Sequence, residues 1–374
     1  MRIAMVAPHF HPEVGGLETS VRLLGNWLAA RGHEVTVHTS ARVGDHRVLS
    51  PSEAVDGIQI RRYPLRLDLG YFRSAFRPDL GAADVVHLHG YAVLTNDLAA
   101  RRARAPIAYS LHHGVSMPHP TPWTRLERAL YDRFIGLGTL RRVGAIVAAN
   151  RGDAAWLRAR GLTRVEVIPT PLTSDAFVPG RAEQARERFG TGRFVLFLGR
   201  LHVEKGVLEL VTALAGLPDV NVRFAGPDAG AAEDVRRRAA DLGISDRVRV
   251  LGEVSEEVKR DLLAACEFLV LPSAYEAQAI AVGEAWAQGK AVVASRVGAL
   301  AEWVEEGRTG LLVPPGDTAA LRSAIAELLG NPGRAQSMGR RGAERAPALR
   351  VDRLGPEFES LYARLSGRKG AERP

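Results

Sequence analysis

Two carboxylates, Glu276 and Glu284, stand eight residues apart in PSAYEAQAIAVGEAWAQGKAVVAS, residues 272–295, where Lys290 is the only other charged side chain. Carboxylates set among small and apolar neighbours need partners, because burial penalises an unpaired charge. On one continuous helix, eight residues rotate by about 80° and rise by about 12 Å. The pair is therefore badly placed to share a proton, which argues against a glycosidase-type dyad. Two separate hydrogen-bonding roles along an elongated ligand fit better, with an intervening helix N-terminus that favours an anion.

Cationic candidates lie in FLGRLHVEKG, where Lys205 follows Arg200 by five residues. The chain has four lysines among 50 basic residues, so the choice of lysine carries information. An arginine fork with a compact ammonium can neutralise a diphosphate leaving group; the competing reading is a helix-capping cluster with Glu204. In HFHPEVGGLE, Gly15 and Gly16 precede a helix starting near Glu18 and let backbone approach a ligand, unless they are ordinary turn punctuation. This spacing does not fit G-x-G-x-x-G, which argues against a dinucleotide oxidoreductase. Four histidines, His87 and His89 in DVVHLHG and His112 and His113 in AYSLHHG, fall at expected strand ends. No cysteine or carboxylate completes a metal-ligand spacing with them, so no metal is expected. One of them lining a cleft as a hydrogen-bond donor to substrate, with the rest satisfied in or near the core, is the better reading.

The elements that must carry these residues repeat one grammar. RIAMVAP, HEVTVHTS, ADVVHLHG, APIAYSLHHG and AIVAAN read as strands separated by amphipathic helices such as ETSVRLLGNWLAARG. The pattern restarts at GRFVLFLGR and runs through NVRFAGP, DRVRVLG, CEFLVLPS, KAVVAS and TGLLVPP. Between the halves, VIPTPLTSDAFVPG holds three prolines and no sustained period, which marks a linker. The expected fold is α/β, with two doubly wound Rossmann-like domains facing across a cleft, and ligands beyond the carboxyl ends of the strands. The expected domains are 1–177 and 178–350, both Rossmann-like, and 351–374 as a C-terminal helix packing back toward the first, with a frayed tail.

At 374 residues, two domains are the prior. The first 178 residues carry 22 arginines and no lysine against 15 carboxylates, so the basic excess is concentrated there. Basic residues are not interleaved with aromatics on any recognised nucleic-acid module, so no nucleic acid is expected. The single cysteine, Cys266 in ACEFLVL, reads as a reduced core thiol. The opening apolar run is too short for a signal-peptide core and no segment reaches the roughly 20 residues of a membrane span, so the expected location is cytoplasmic.

Taken in order, MRIAMVAPHFHPEVGGLETSVRLLGNWLAARGHEV, HLHG, GRLHVEKG, PSAYEAQAIAVGEAWAQGKAVVAS and GALAEWVEEGRTGLLVPPGD resemble glycosyltransferase family 4, retaining enzymes of the GT-B fold. The resemblance implies that Glu276 contacts donor-sugar hydroxyls and that Glu284 holds the nucleotide ribose. It places the amides of Ala279 and Ile280 on phosphate oxygens, Arg200 and Lys205 opposite, and Gly16, with Gly15 before it, closing over the diphosphate. By register from Pro106, His112 matches the family histidine near the transferring sugar, with His113 as the rival if that register slips by one. No metal or other cofactor is implied. In place of the family's aromatic and then small residue, Glu276 is followed by Ala277, Gln278 and Ala279, which leaves Gln278 to read a sugar substituent or face solvent.

The implied activity moves a hexose-type sugar from a UDP- or GDP-sugar to a hydroxyl of a sugar, lipid-linked or small-molecule acceptor. Residues 120–142, PTPWTRLERALYDRFIGLGTLRR, set Trp123, Leu126, Leu130, Phe134 and Leu137 at helical spacing with Arg125, Arg128 and Arg133 interleaved. Packing of that helix against its own domain is the expectation, and a peripheral contact with the inner face of an anionic membrane is the alternative. A sugar-nucleotide epimerase of the same fold and a catalytically silent partner subunit are the rival functions. Retention of Arg200, Lys205, Glu276 and Glu284 together argues against the silent subunit.

Overall fold

The computed structural model describes all residues except 14, 44–46, 69–73, 113–114, 116–121, 191, 218–219 and 369–374. It divides into an N-terminal unit, Met1–Pro171 with Val351–Pro374, and a C-terminal unit, Leu172–Arg350. The change of unit falls inside the proline-rich stretch. Residues just past it belong to the second unit because Leu172 and Ala176 are buried in its core.

The strands of the N-terminal unit are β1 Arg2–Val6, β2 Glu34–Ser40, β3 Arg42–Val43, β4 Arg47–Val48, β5 Ser52–Val55, β6 Ile58–Tyr63, β7 Val85–His89, β8 Ile107–Ser110, β9 Ala145–Ala148 and β10 Val165–Val167. Eight of them form one sheet in the order β10-β9-β8-β7-β1-β2-β6-β5, parallel except for the β5–β6 edge hairpin, while β3 and β4 pair separately. Strands β7, β8 and β9 are buried along their whole length, as near-continuous apolar runs covered on both faces require. β6, IQIRRY, instead alternates buried and exposed residues next to the edge. The C-terminal helix Val351–Leu365 completes this unit, with Leu354, Phe358, Leu361 and Tyr362 buried in the cluster that holds Ile3, Met5 and Val85.

In the C-terminal unit, β11 Phe194–Leu198, β12 Asn221–Ala225, β13 Val248–Gly252, β14 Leu269–Leu271, β15 Val292–Ser295 and β16 Gly310–Val313 form an all-parallel sheet ordered β13-β12-β11-β14-β15-β16. The helix Ile280–Ala287 is fixed against its core by Val282, Ala285 and Trp286, the last only 2% exposed. Burying an indole of that size contributes up to about 4–6 kcal/mol, enough to set the direction of the neighbouring Glu284.

Each sheet has a switch point from which its parallel strands run out in opposite directions. The switch falls between β1 and β7 in the N-terminal unit and between β11 and β14 in the C-terminal one. Adjacent loops diverge at such a point and leave a crevice at the carboxyl ends of the strands. Arg200, Lys205 and Glu276 lie on these loops and Gly15 follows β1, whereas Glu284 lies on the helix Ile280–Ala287, His87 and His89 within β7, and His112 beyond β8.

Candidate functional site

In the C-terminal unit, the loop after β11 carries Arg200 and Lys205, and the loop after β14 carries Glu276. A backbone hydrogen bond ties the loops, Ala274 N–H donating to the Glu204 carbonyl (2.8 Å), and Ala299 N–H, on the helix Gly298–Trp303 after β15, donates to the Glu276 carbonyl (2.8 Å). Gly206, at φ 69°, faces the Pro272 carbonyl at a distance that leaves no room for a Cβ. Gly298, at φ 44°, lies equally close to the Glu276 carbonyl. Only glycine supplies both the left-handed backbone and the close approach.

Each carboxylate of the 272–295 stretch has a lysine. Glu276 Oε1 accepts from Lys205 Nζ (2.7 Å) and from Ser273 Oγ (3.0 Å). Glu284, largely buried, accepts from Lys259 Nζ (2.5 Å), and Lys259 also pairs with Glu256 (2.7 Å). Burial pushes the Glu284 carboxyl above its ordinary range, and the Lys259 ammonium pulls it part of the way back. Burial opposes charge on Lys259 too, but the two carboxylates outweigh it and hold the ammonium above the usual lysine value. Lys259 gets its place from the helix Glu256–Ala265, whose N-cap Ser255 Oγ accepts from Val258 N–H (3.3 Å).

Arg200 is exposed and has no side-chain partner among the described residues. Gln278 is half-buried and Ala279 buried, and Ile280 opens the helix bearing Glu284, where the Val282 and Gly283 N–H groups donate to the Ala279 carbonyl (3.0 and 3.2 Å) and the N–H groups before them precede the first intrahelical bond. Arg200, Lys205, Glu276 and the start of that helix thus gather around one switch point. Arg200 can take an anion directly, whereas Lys205 can do so only by sharing or leaving Glu276.

In the N-terminal unit, Gly15 is the extended N-cap of the helix Gly16–Ala30, which follows β1. His87 and His89 share one face of β7, with ring centroids 3.8 Å apart, and His112 lies just beyond β8. His113 lies outside the described residues. His112 adopts φ 55°, a left-handed conformation rare for a residue with a Cβ and concentrated at functional positions. Its Nε2 is 2.8 Å from His89 Nδ1. His87 bridges Tyr362 Oη (2.6 Å) and Ser110 Oγ (2.8 Å). Burial holds His87 and His89 well below the ordinary histidine value, with the neighbouring imidazoles adding to the effect. Among the described residues, no group of three His, Cys, Asp or Glu is arranged to hold a metal.

The segment expected to be one packed helix over 120–142 differs. Its helix Pro122–Tyr131 buries no residue, a π-helical turn Asp132–Gly136 follows, and Leu137–Arg142 resumes the α-helix. Trp123 (73%), Leu126 (50%), Leu130 (49%) and Phe134 (71%) are exposed. The opposite side is bonded inward: Tyr91 Oη donates to Asp132 (2.8 Å), and Tyr131 Oη (2.9 Å) and Thr139 Oγ1 (2.8 Å) donate to Asp97. Polar anchoring fixes the segment with its apolar row outward, which single-sequence periodicity cannot foresee. Lys259, Glu256 and Ser273 were also missed. The scarcity of lysine that drew attention to Lys205 applied equally to Lys259.

Residues 14–175 match the sequence profile described as Glycosyltransferase Family 4, and residues 181–345 match that of Glycosyl transferases group 1. The chain belongs to glycosyltransferase family 4. The D-inositol 3-phosphate glycosyltransferase of Mycobacteroides abscessus is 29% identical over an alignment spanning 100% of this chain and 91% of that protein. Among solved structures, the sucrose-phosphate synthase of Thermosynechococcus elongatus superimposes with a TM-score of 0.82 at 23% identity, covering 98% of this chain and 99% of that one. HepE of Anabaena, solved with UDP-glucose, gives a TM-score of 0.76 at 19% identity, covering 97% and 100%. These likenesses fix the fold of this family 4 glycosyltransferase as GT-B. Among its described residues, no helix is long and apolar enough to cross a membrane.

Proposed function

We propose that this glycosyltransferase moves a hexose-type sugar from a UDP- or GDP-sugar to an acceptor hydroxyl, with retention of anomeric configuration and without a metal. The observation that carries the reading is the cluster at the β11/β14 switch point: Arg200, without a side-chain partner among the described residues, Lys205 on Glu276, and Glu284 on the helix that follows with Lys259. Arg200, Lys205 and the amides of Ala279 and Ile280 meet the charge of the leaving diphosphate, the role a metal would otherwise take. Glu276 hydrogen-bonds donor-sugar hydroxyls and Glu284 the ribose, while Gln278 faces a sugar substituent. In the N-terminal unit, Gly15 and Gly16 offer close backbone approach to the diphosphate, and His112 hydrogen-bonds the transferring sugar. The donor complex of HepE supports this class of donor.

Glu276 Oε1 already holds Lys205 and Ser273, which suits it to orient hydroxyls better than to attack a sugar carbon. The chemistry proposed is attack by the acceptor oxygen on the face the nucleotide leaves. The bond from the anomeric carbon to the phosphate oxygen breaks as the new glycosidic bond forms. The acceptor proton passes to that phosphate oxygen.

Calorimetric titration of the purified protein with a panel of UDP- and GDP-sugars tests the donor, with Arg200→Ala as control. Saturable binding of one donor, at least tenfold weaker in the control, is expected; no binding to any, or an unchanged control, refutes the assignment. The anomeric configuration of the product and turnover in the presence of a chelator test the two finer claims. Product analysis without an added acceptor separates an epimerase.

A second reading concerns the acceptor. The exposed row Trp123, Leu126, Leu130 and Phe134, with the exposed Arg125 and Arg133, fits shallow insertion into an anionic bilayer and access to a lipid-linked acceptor. On this reading the enzyme would work from the cytoplasm, at the inner face of the membrane.

A further inference from the structure

Ser273 stands two residues past β14 and is 0% exposed. A buried hydroxyl needs a partner, and serines at turns and helix starts commonly accept from a nearby backbone N–H, as Ser255 does from Val258. Ser273 instead turns to a side chain. Its hydroxyl makes one hydrogen bond among the described residues, to Glu276 Oε1 at 3.0 Å. A carboxylate has no proton to give, so Ser273 is the donor.

The loop does not need this bond to hold its course. Its backbone is fixed at both ends of the interval, by Ala274 N–H on the Glu204 carbonyl and by Ala299 N–H on the Glu276 carbonyl. What Ser273 holds is the carboxylate. Oε1 takes both Lys205 Nζ and Ser273 Oγ, whereas Oε2 has no partner among the described residues. The two donors respond differently to an incoming diphosphate. Lys205 is charged and partly exposed, so it is drawn toward the phosphate oxygens and away from Glu276. Ser273 is neutral and sealed from solvent, so it stays where it is.

We propose that Ser273 is a positioning residue: it keeps Oε1 of Glu276 in place while Lys205 turns to the diphosphate, and so leaves Oε2 set to accept from a hydroxyl of the donor sugar. This role rests on the reading of Glu276 as the carboxylate that meets donor-sugar hydroxyls. A serine kept only to fill the loop would act equally with or without the Glu276 side chain.

The test compares Ser273→Ala with wild type on a panel of UDP- and GDP-sugars, UDP-glucose among them, and on UDP and GDP alone. Release of the nucleoside diphosphate to water reads turnover without an acceptor. At saturating donor, Ser273→Ala should release it about tenfold more slowly, with calorimetric affinity for UDP or GDP within about twofold of wild type. Retained nucleotide affinity also shows that the variant folds. Ser273→Cys, close in shape but a weaker donor, should fall between the two and carries the test where Ser273→Ala does not fold. In a Glu276→Ala background, the further change from Ser273→Ala should be less than about twofold. An unchanged rate in the folded serine variant, or the same loss with and without the Glu276 side chain, overturns the proposal. The failures are distinguishable. If no nucleotide-sugar binds wild type, the donor reading falls and this role with it. If the donor binds and Glu276→Ala turns over as fast as wild type, the sugar-side reading of Glu276 falls. A loss in Glu276→Ala without one in Ser273→Ala removes the role of Ser273 alone.

Discussion

Replacing Lys259 by methionine keeps the aliphatic stem and removes the ammonium that lies 2.5 Å from Glu284. The side chains of Lys259 and Glu284 are 16% and 11% exposed, so water replaces little of the lost attraction. Breaking a buried pair by removing one partner typically costs about 3–5 kcal/mol. Glu284 can limit the loss by taking a proton. Protonating a carboxyl of ordinary pKa near 4.3 costs about 3.7 kcal/mol at pH 7 and about 1 kcal/mol at pH 5. The expected destabilisation is therefore about 2–4 kcal/mol at pH 7 and about 1 kcal/mol at pH 5. In the variant, folded Glu284 binds its proton more tightly than the unfolded chain does, so stability falls as pH rises from the unfolded carboxylate value through the raised folded one. Urea unfolding followed by tryptophan fluorescence at both pH values measures it, with Trp286 on the same helix as the reporter. Lys259→Met combined with Glu284→Gln should recover most of the loss. A deficit equal at the two pH values, or below about 1 kcal/mol at pH 7, refutes the reasoning.

Glu284→Gln should weaken donor binding by roughly 10- to 100-fold with turnover at saturation little changed, whereas Glu276→Gln should lower turnover by the same order. Titration calorimetry and initial rates separate the two, and equal donor affinity in Glu284→Gln and wild type contradicts the ribose assignment. Gly298→Ala forces a Cβ into the Glu276 carbonyl at a left-handed position and should cost about 1–3 kcal/mol and reduce activity together; unchanged melting and rate would show that the loop yields freely. Trp123→Ser with Phe134→Ser should abolish sedimentation with anionic vesicles and leave melting unaltered, since both rings are exposed; vesicle binding independent of anionic lipid or of these residues removes the membrane reading.

The sequence by itself determined the local pattern: short apolar strands, amphipathic helices between them, and a proline-rich break between two halves. That information is local, because periodicity and glycine or proline punctuation act within a few residues. It also placed Arg200, Lys205 and Glu276 on loops at strand ends, where a doubly wound sheet gathers ligand groups. Partner choice belonged to tertiary structure. Glu276 meets a lysine 71 residues away and Glu284 one 25 residues away, brought together by strand order and by glycines that let loops touch. His89 and His112 read as separate strand-end histidines and became a bonded pair only through the parallel register of β7 on β8, with His89 opposite Ser110. The row from Trp123 to Phe134 has the same spacing whether it faces a core or solvent. Hydrogen bonds accepted by Asp97 and Asp132 on its inner side decided that it faces out, because only the folded chain brings Tyr91, Tyr131 and Thr139 to those carboxylates.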